Sequence, residues 1–294
     1  MTASPRPGLL ELVQQRRLVI EGAMGTMLAL RGVPAENSGE RCLTHPDVVA
    51  DIHRSYLEAG ADLFQTNSFV ANRSMLERAG LGDRVAEIQA ASVQILRQAV
   101  GPDHLIGADG GPTGRLPEPY GDLTRREAVD IYREQLGVQV AEGVDFIILQ
   151  TFEILEEIEA AIEAAHLVAP DLPLVTCFSF SNPNGRSMMG VDGQRAAERL
   201  QELGADVIGA NCGDVEGLQI ALQAMAQVTD RPLIVQANAG VPRLVEGRTV
   251  FSWKPAQSAE LARRFVELGV RIIGGCCGTT PEHLAAIAQV VHAA

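Results

Sequence analysis

No run of apolar residues in this sequence reaches the roughly 18 that a membrane-spanning helix needs, which excludes a segment of that kind. The opening stretch, MTASPRPGLLELVQQRRLVI, lacks the charged start, apolar middle and small-residue cleavage site of a secretory leader. Basic residues are in short supply: 24 Lys and Arg stand against 37 Asp and Glu, a formal net charge of -13. That balance repels phosphate backbones and anionic membrane surfaces, and no polybasic run offsets it, so neither nucleic acid nor membrane is an expected partner. Cysteine is scarce as well, with five in 294 residues. The expected compartment is cytoplasmic, where thiols stay reduced and read as core residues, metal ligands or catalytic groups rather than a disulfide frame. The six His show no paired ligand spacing, and His53, His166, His283 and His292 fall on helix patterns as expected surface or packing residues. Linkers, low-complexity tracts and composition shifts are also missing, so one domain over residues 1–294 is expected.

What is present is a repeated unit. Short apolar stretches end in polar or glycine residues at RLVIEGAMG, ADLFQTNSF, DHLIGADGG, VDFIILQTF, LPLVTCFSF, ADVIGANCG, PLIVQANAG and VRIIGGCCG. Between them, stretches such as PDVVADIHRSYLEAG, TRREAVDIYREQLGVQVAEG, FEILEEIEAAIEAAHLVA and SAELARRFVELG repeat apolar residues at helical spacing. The phrases LEAGADLF, AEGVDFII and ELGADVIG each put a helix-capping glycine directly before a strand, as a short αβ loop requires. Eight such units in 294 residues predict an α/β fold, a single (β/α)8 TIM barrel, rather than an open doubly wound sheet.

A barrel of this kind builds its active site at the C-terminal ends of its strands. The residues there are Glu21 and Gly22; Thr66 and Asn67; Asp109 to Gly111; Gln150; Ser179; Asn211 and Cys212; Asn238; and Cys276 with Cys277. Three of the five cysteines are in this set. Cys212 ends the sixth strand and Cys276 and Cys277 the eighth, and only one strand separates those two in a closed barrel. Three thiolates with a fourth position open suit a catalytic Zn2+ that would hold a substrate thiol as a nucleophile at neutral pH. A lone cysteine pair would instead read as a buried or redox pair; the third cysteine at a matching strand end favours the metal. Cys42 is expected as a loop thiol, and Cys177, inside the fifth strand, as core.

GANCG at 209–213, NAGVP at 238–242 and GGCCGTTP at 274–281 together resemble the homocysteine S-methyltransferase family, and EGAMGTML at 21–28, QTNSF at 65–69 and GPTGRLPEP at 111–119 extend the match along nearly the whole chain. The resemblance implies a (β/α)8 barrel, zinc held by Cys212, Cys276 and Cys277, and an Asn238 that approaches the metal when no thiol is bound. Thr66 and Asn67 would line the mouth as hydrogen-bonding groups, unless they only close turns. The family carries Asp where this chain has Glu21 and Glu where it has Gln150, carboxylates understood to hold the amino group of homocysteine. Gln150 brings no charge, and a charge-assisted hydrogen bond is about twice as strong as a neutral one. The swap fits a thiol without an ammonium group, a rearranged site in which Glu21 carries the charge, or simple tolerance.

The resemblance makes homocysteine the default acceptor, giving methionine. The TNSF and FSFSNPNGRSMMGVD stretches are similar to the branch of the family that draws its methyl group from cobalamin. With no cobalamin or folate domain in 294 residues, a separate corrinoid-carrying or folate-binding partner protein would deliver it. The alternative is direct transfer from a small sulfonium or betaine donor. Aromatic content of 4% leaves only Trp253, Phe251, Tyr120 and Phe69 as candidates for a cation-binding cage. A zinc-binding scaffold without catalysis and a metal-free redox switch remain as readings from other classes.

Overall fold

The computed structural model describes residues 6–245 and 248–294. Ten strands occur in chain order: β1 (Leu18–Ile20), β2 (Leu63–Gln65), β3 (Leu105–Gly110), β4 (Phe146–Phe152), β5 (Leu174–Phe178), β6 (Val207–Asn211), β7 (Leu233–Ala237), β8 (Arg243–Val245), β9 (Arg248–Val250) and β10 (Ile272–Gly275). Eight of them close a parallel barrel in the order β1 to β7 and then β10, which returns to β1. These are the eight strands expected from sequence. The remaining two form an antiparallel hairpin, with Leu244 opposite Thr249, in the connection after β7. No helix among the described residues is long and apolar enough to cross a membrane.

Local signals set the helix ends. Pro46–Glu58 and Arg125–Ala141 match the expected helices, the second with Thr124 as N-cap, and a last helix, Pro281–His292, follows the Thr280 N-cap. Gly60, Gly143 and Gly204 take φ of 97°, 89° and 87°, the left-handed turn that lets a helix hand over to the next strand. Phe152, expected to open a helix, ends β4 instead, and that helix runs Leu155–Val168.

The strands sort their side chains by period two. Leu18, Ile20, Leu63, Leu105, Phe146, Ile148, Val175, Cys177, Val207, Ile234 and Ile272 pack together inside the barrel. Their neighbours, among them Val19, Ile106, Ile147, Ile208, Val235 and Ile273, pack outward against the helices. Cys177 is therefore core, as expected. The helix Leu9–Gln15 packs Leu9 and Val13 onto the interior cluster, and Arg271 Nε donates to its Val13 carbonyl at 2.8 Å.

Candidate active site

Continuing the same alternation one step beyond the apolar interior turns Gln65, Asp109, Gln150, Asn211 and Gln236 inward, at the C-terminal ends of five strands. Gln65, Asp109, Gln150 and Gln236 line a cavity of about 270 Å3, together with Glu21, Thr66, Asn67, Phe69, Thr151, Cys212, Cys276 and Cys277. Among the described residues no Lys, Arg or His lines it, so the charged groups on its wall are acidic.

The three cysteines expected from sequence meet at one edge of this cavity, with their sulfur atoms all within 4.8 Å of one another. Sulfurs sharing a tetrahedral zinc at about 2.3 Å lie roughly 3.8 Å apart, so small side-chain adjustments suffice to hold the ion. The backbone fixes the arrangement. Cys212 N–H donates to the Gln236 carbonyl at 3.0 Å and Cys276 N–H to that of Ala237 at 2.8 Å. Gly278 N–H donates to Thr26 Oγ1 at 2.9 Å, and the buried Tyr56 hydroxyl reaches the carbonyls of Thr279 (2.9 Å) and Ala23 (3.1 Å). These contacts clasp the GGCCGTTP loop to the EGAMGT loop. Cys212 has φ of 58° and Thr151 φ of 65°, so two of the three non-glycine residues with positive φ among those described border the cavity.

The thiols disagree electrostatically. Hydrogen bonds from Cys276 and Cys277, then from Gly213 N–H and the Asn238 amide, push the Cys212 thiol well down. Serving that thiolate pushes Cys276 up, and Cys277 up to about 12. Three adjacent sulfurs cannot all ionise unaided; a divalent cation removes the conflict, and thiolate-rich donor sets suit zinc. The residues present therefore fit the metal that the sequence implied.

The other two cysteines stand apart. Cys42, expected in a loop, is buried on the short helix Arg41–Thr44, where burial raises its thiol to about 12. Its neighbour is Asn67, whose amide donates to the Ser38 carbonyl at 2.7 Å and points at Cys42 Sγ at 3.6 Å.

Each remaining candidate has a definite place. Glu21 lies on the cavity wall with both carboxylate oxygens engaged: Oε1 accepts from Gln65 N–H and Oε2 pairs with His53 Nδ1, both at 2.9 Å. His53 is thus fully buried, a packing residue as one of the two expected roles had it, and it serves Glu21. Thr66 Oγ1 lies 2.7 Å from Gln139 Oε1 and from Ser68 Oγ and accepts from Asp109 N–H at 3.0 Å, so its hydroxyl braces β3. Asn238 is absent from the cavity wall. It lies behind Cys212, with Nδ2 donating to the Gly213 carbonyl at 2.9 Å and Oδ1 unpartnered. Of the four aromatic candidates only Phe69 lines the cavity.

Gln150 sits in a chain of amides. Asn211 Nδ2 donates to Gln150 Oε1 at 3.3 Å, and Gln150 Nε2 donates to Asp109 Oδ1 at 2.8 Å. Asp109 was on the strand-end list without a role. Burial pushes its carboxyl well above the usual range; the Gln150 amide opposes this and the nearby Glu21 adds to it. Gln65 and Gln236 were missed by the sequence reading, which gave Asp109 a place but no role; the period-two alternation from Leu63, Leu105 and Ile234 was the signal that pointed to all three.

Known proteins give the same answer as the geometry. The family model for homocysteine S-methyltransferase matches residues 18–291. Methionine synthase of Mycobacterium leprae is 32% identical over 96% of this chain, and the chain spans about a quarter (25%) of that relative's length. Betaine–homocysteine S-methyltransferase 1 of Xenopus laevis is 30% identical over 97% of this chain and 75% of its own length. The fold also matches the metallated form of the homocysteine methyltransferase MmuM from Escherichia coli, with a TM-score of 0.78 at 23% identity over 95% of this chain and 97% of that one. With three cysteines gathered at the mouth of a closed barrel and the family match running across it, the chain belongs to the homocysteine S-methyltransferases, a family of methyltransferases.

Proposed function

We propose that this barrel is a zinc-dependent methyltransferase that converts homocysteine to methionine, with the methyl group delivered by a separate corrinoid- or methylfolate-carrying partner. The observation that carries this reading is the cluster of Cys212, Cys276 and Cys277, sulfurs within 4.8 Å, opening on an acidic cavity. These three residues would hold the metal, which when bound keeps the substrate sulfur ionised and nucleophilic at neutral pH. The chain's own groups do the rest. The acidic wall draws in a cationic amino group. The Tyr56 clasp and the backbone bonds of Cys212 and Cys276 keep the sulfur site rigid, so the thiol is presented in a fixed direction toward the open mouth. In the transfer a sulfur lone pair forms the new S–CH3 bond, the bond from methyl to donor breaks with its electron pair staying on the donor, and the thiol proton, lost as the sulfur ionises, passes to solvent.

A carrier-borne methyl group, rather than a small cationic donor, is favoured by one observation. The cavity wall carries a single aromatic, Phe69, too few for a cage around a sulfonium or betaine. The test supplies zinc-loaded protein with homocysteine and, side by side, methylcobalamin, S-methylmethionine and glycine betaine. Methionine should form with methylcobalamin and not with the two small cationic donors. Turnover with glycine betaine alone at about 1 s-1 or faster, ordinary for an enzyme, would replace the carrier with direct transfer.

A further inference from the structure

Gln150 poses a problem: an amino-acid thiol needs a counter-charge at its ammonium, and residue 150 supplies none. We propose that Asp109 is the specificity-determining carboxylate of this site, that it binds the ammonium group of the substrate, and that Gln150 positions it. The inference rests on the thiol methyltransferase reading above and names the residue that selects an amino-acid thiol.

Several observations converge on Asp109. It is 2% exposed and borders the cavity beside Glu21. Gln150 Nε2 holds its Oδ1 at 2.8 Å, while Oδ2 has no hydrogen-bond partner among the described residues. The amide of Gln150 cannot turn its oxygen toward Asp109, because Asn211 Nδ2 donates to that oxygen from the other side. Asn211 is fixed in turn by Thr151, whose N–H donates to Asn211 Oδ1 at 2.8 Å and whose Oγ1 accepts from Asn211 Nδ2 at 2.7 Å. The backbone of Asp109 is equally held. Its N–H reaches Thr66 Oγ1 at 3.0 Å and Gln139 Oε1 at 3.1 Å, and its carbonyl accepts from Ser68 Oγ at 2.8 Å and Gln135 Nε2 at 3.2 Å.

Glu21 cannot fill this role as freely. Both of its oxygens are already committed, to Gln65 N–H and to His53. Asp109 is the carboxylate with an oxygen to spare, buried with no basic residue on the cavity wall among the described residues to neutralise it. A buried carboxylate in that position gains more from an arriving cation than any other group there. The fourth strand thus contributes an amide that aims the third strand's charge.

The experiment measures the affinity of the zinc-loaded protein by calorimetry for homocysteine and for 4-mercaptobutyrate, which is homocysteine without its amino group. Wild type should prefer homocysteine by about tenfold or more, the margin between a charged and a neutral hydrogen bond. Asp109→Asn keeps the shape and should lose that preference, while binding 4-mercaptobutyrate within about twofold of wild type. Gln150→Glu alone should not tighten homocysteine, because two carboxylates in contact share one proton. The double variant Asp109→Asn with Gln150→Glu returns the charge to the fourth strand and should restore the preference. Zinc content and thermal midpoint, measured on each variant, separate lost recognition from lost fold. A wild-type preference for homocysteine that survives Asp109→Asn would overturn this inference and leave the proposed function standing. A wild type that binds neither thiol would overturn both.

Discussion

Cys276→Ala protein will carry less than about a tenth of the zinc that wild type holds, roughly one per chain, and will form no methionine above background. Cys212→Ala and Cys277→Ala should behave alike, because a three-sulfur site reduced to two loses its hold on the ion. The effect can be read as ligand loss. All three cysteines are half-buried at the cavity edge rather than in the packed core, so removing a sulfur opens little core space. The other two thiols provide the contrast. Cys42→Ala and Cys177→Ala remove buried sulfur and should lower the melting temperature, yet keep the metal. Burial raises both thiols, Cys42 to about 12, which keeps them protonated and poor ligands. Metal analysis of the five variants decides the matter, and full zinc occupancy in Cys276→Ala would refute the site.

Gly209→Ala should be the most damaging methyl group that can be added to the barrel wall. Gly209 pairs with Ile234 across β6 and β7, and a Cβ on it would lie 1.8 Å from the Ile234 carbonyl oxygen. That oxygen is backbone, so relief requires the two strands to part. The expected cost is about 3 kcal/mol or more, a fall of roughly 6–12 °C in Tm for a chain of this size. Parting β6 from β7 also displaces Cys212, whose N–H is tied to the Gln236 carbonyl on β7, so zinc should be lost with stability. Gly143→Ala is the control. Gly143 has φ of 89° with nothing within 4 Å of the added atom, so only backbone strain of about 1–2 kcal/mol opposes it. Thermal unfolding of the two proteins, with zinc content alongside, checks both points; equal melting temperatures would mean the strands yield more easily than their pairing implies.

The barrel was legible in the sequence because parallel strands covered on both faces read as unbroken apolar runs, each followed by a patterned helix. Capping glycines such as Gly60, Gly143 and Gly204 marked the joins. The cysteine cluster was legible for a related reason: strand ends are easy to find, and Cys212, Cys276 and Cys277 are at two of them. The hairpin of β8 and β9 was not, because three-residue strands inside a loop carry too little alternation to stand out. Nor was the pairing of Asp109 with Gln150. That contact depends on the stagger between β3 and β4, where Asp109 pairs with Ile148, and on the register shift between Leu149 and Phe152 beside β5. Stagger belongs to barrel closure as a whole and leaves no local mark in the residues. The pairing of Glu21 with His53 was hidden as well, because the two lie 32 residues apart and His53 is on a helix.

The central claim is that Cys212, Cys276 and Cys277 hold zinc with a position left open for a substrate thiol. X-ray absorption at the zinc edge tests it directly on the purified protein, first alone and then with excess homocysteine. The account predicts three sulfur neighbours at about 2.3 Å before homocysteine and four after it. Four protein ligands at the outset, with a shell that homocysteine leaves unchanged, would contradict it and make the cluster a structural zinc site.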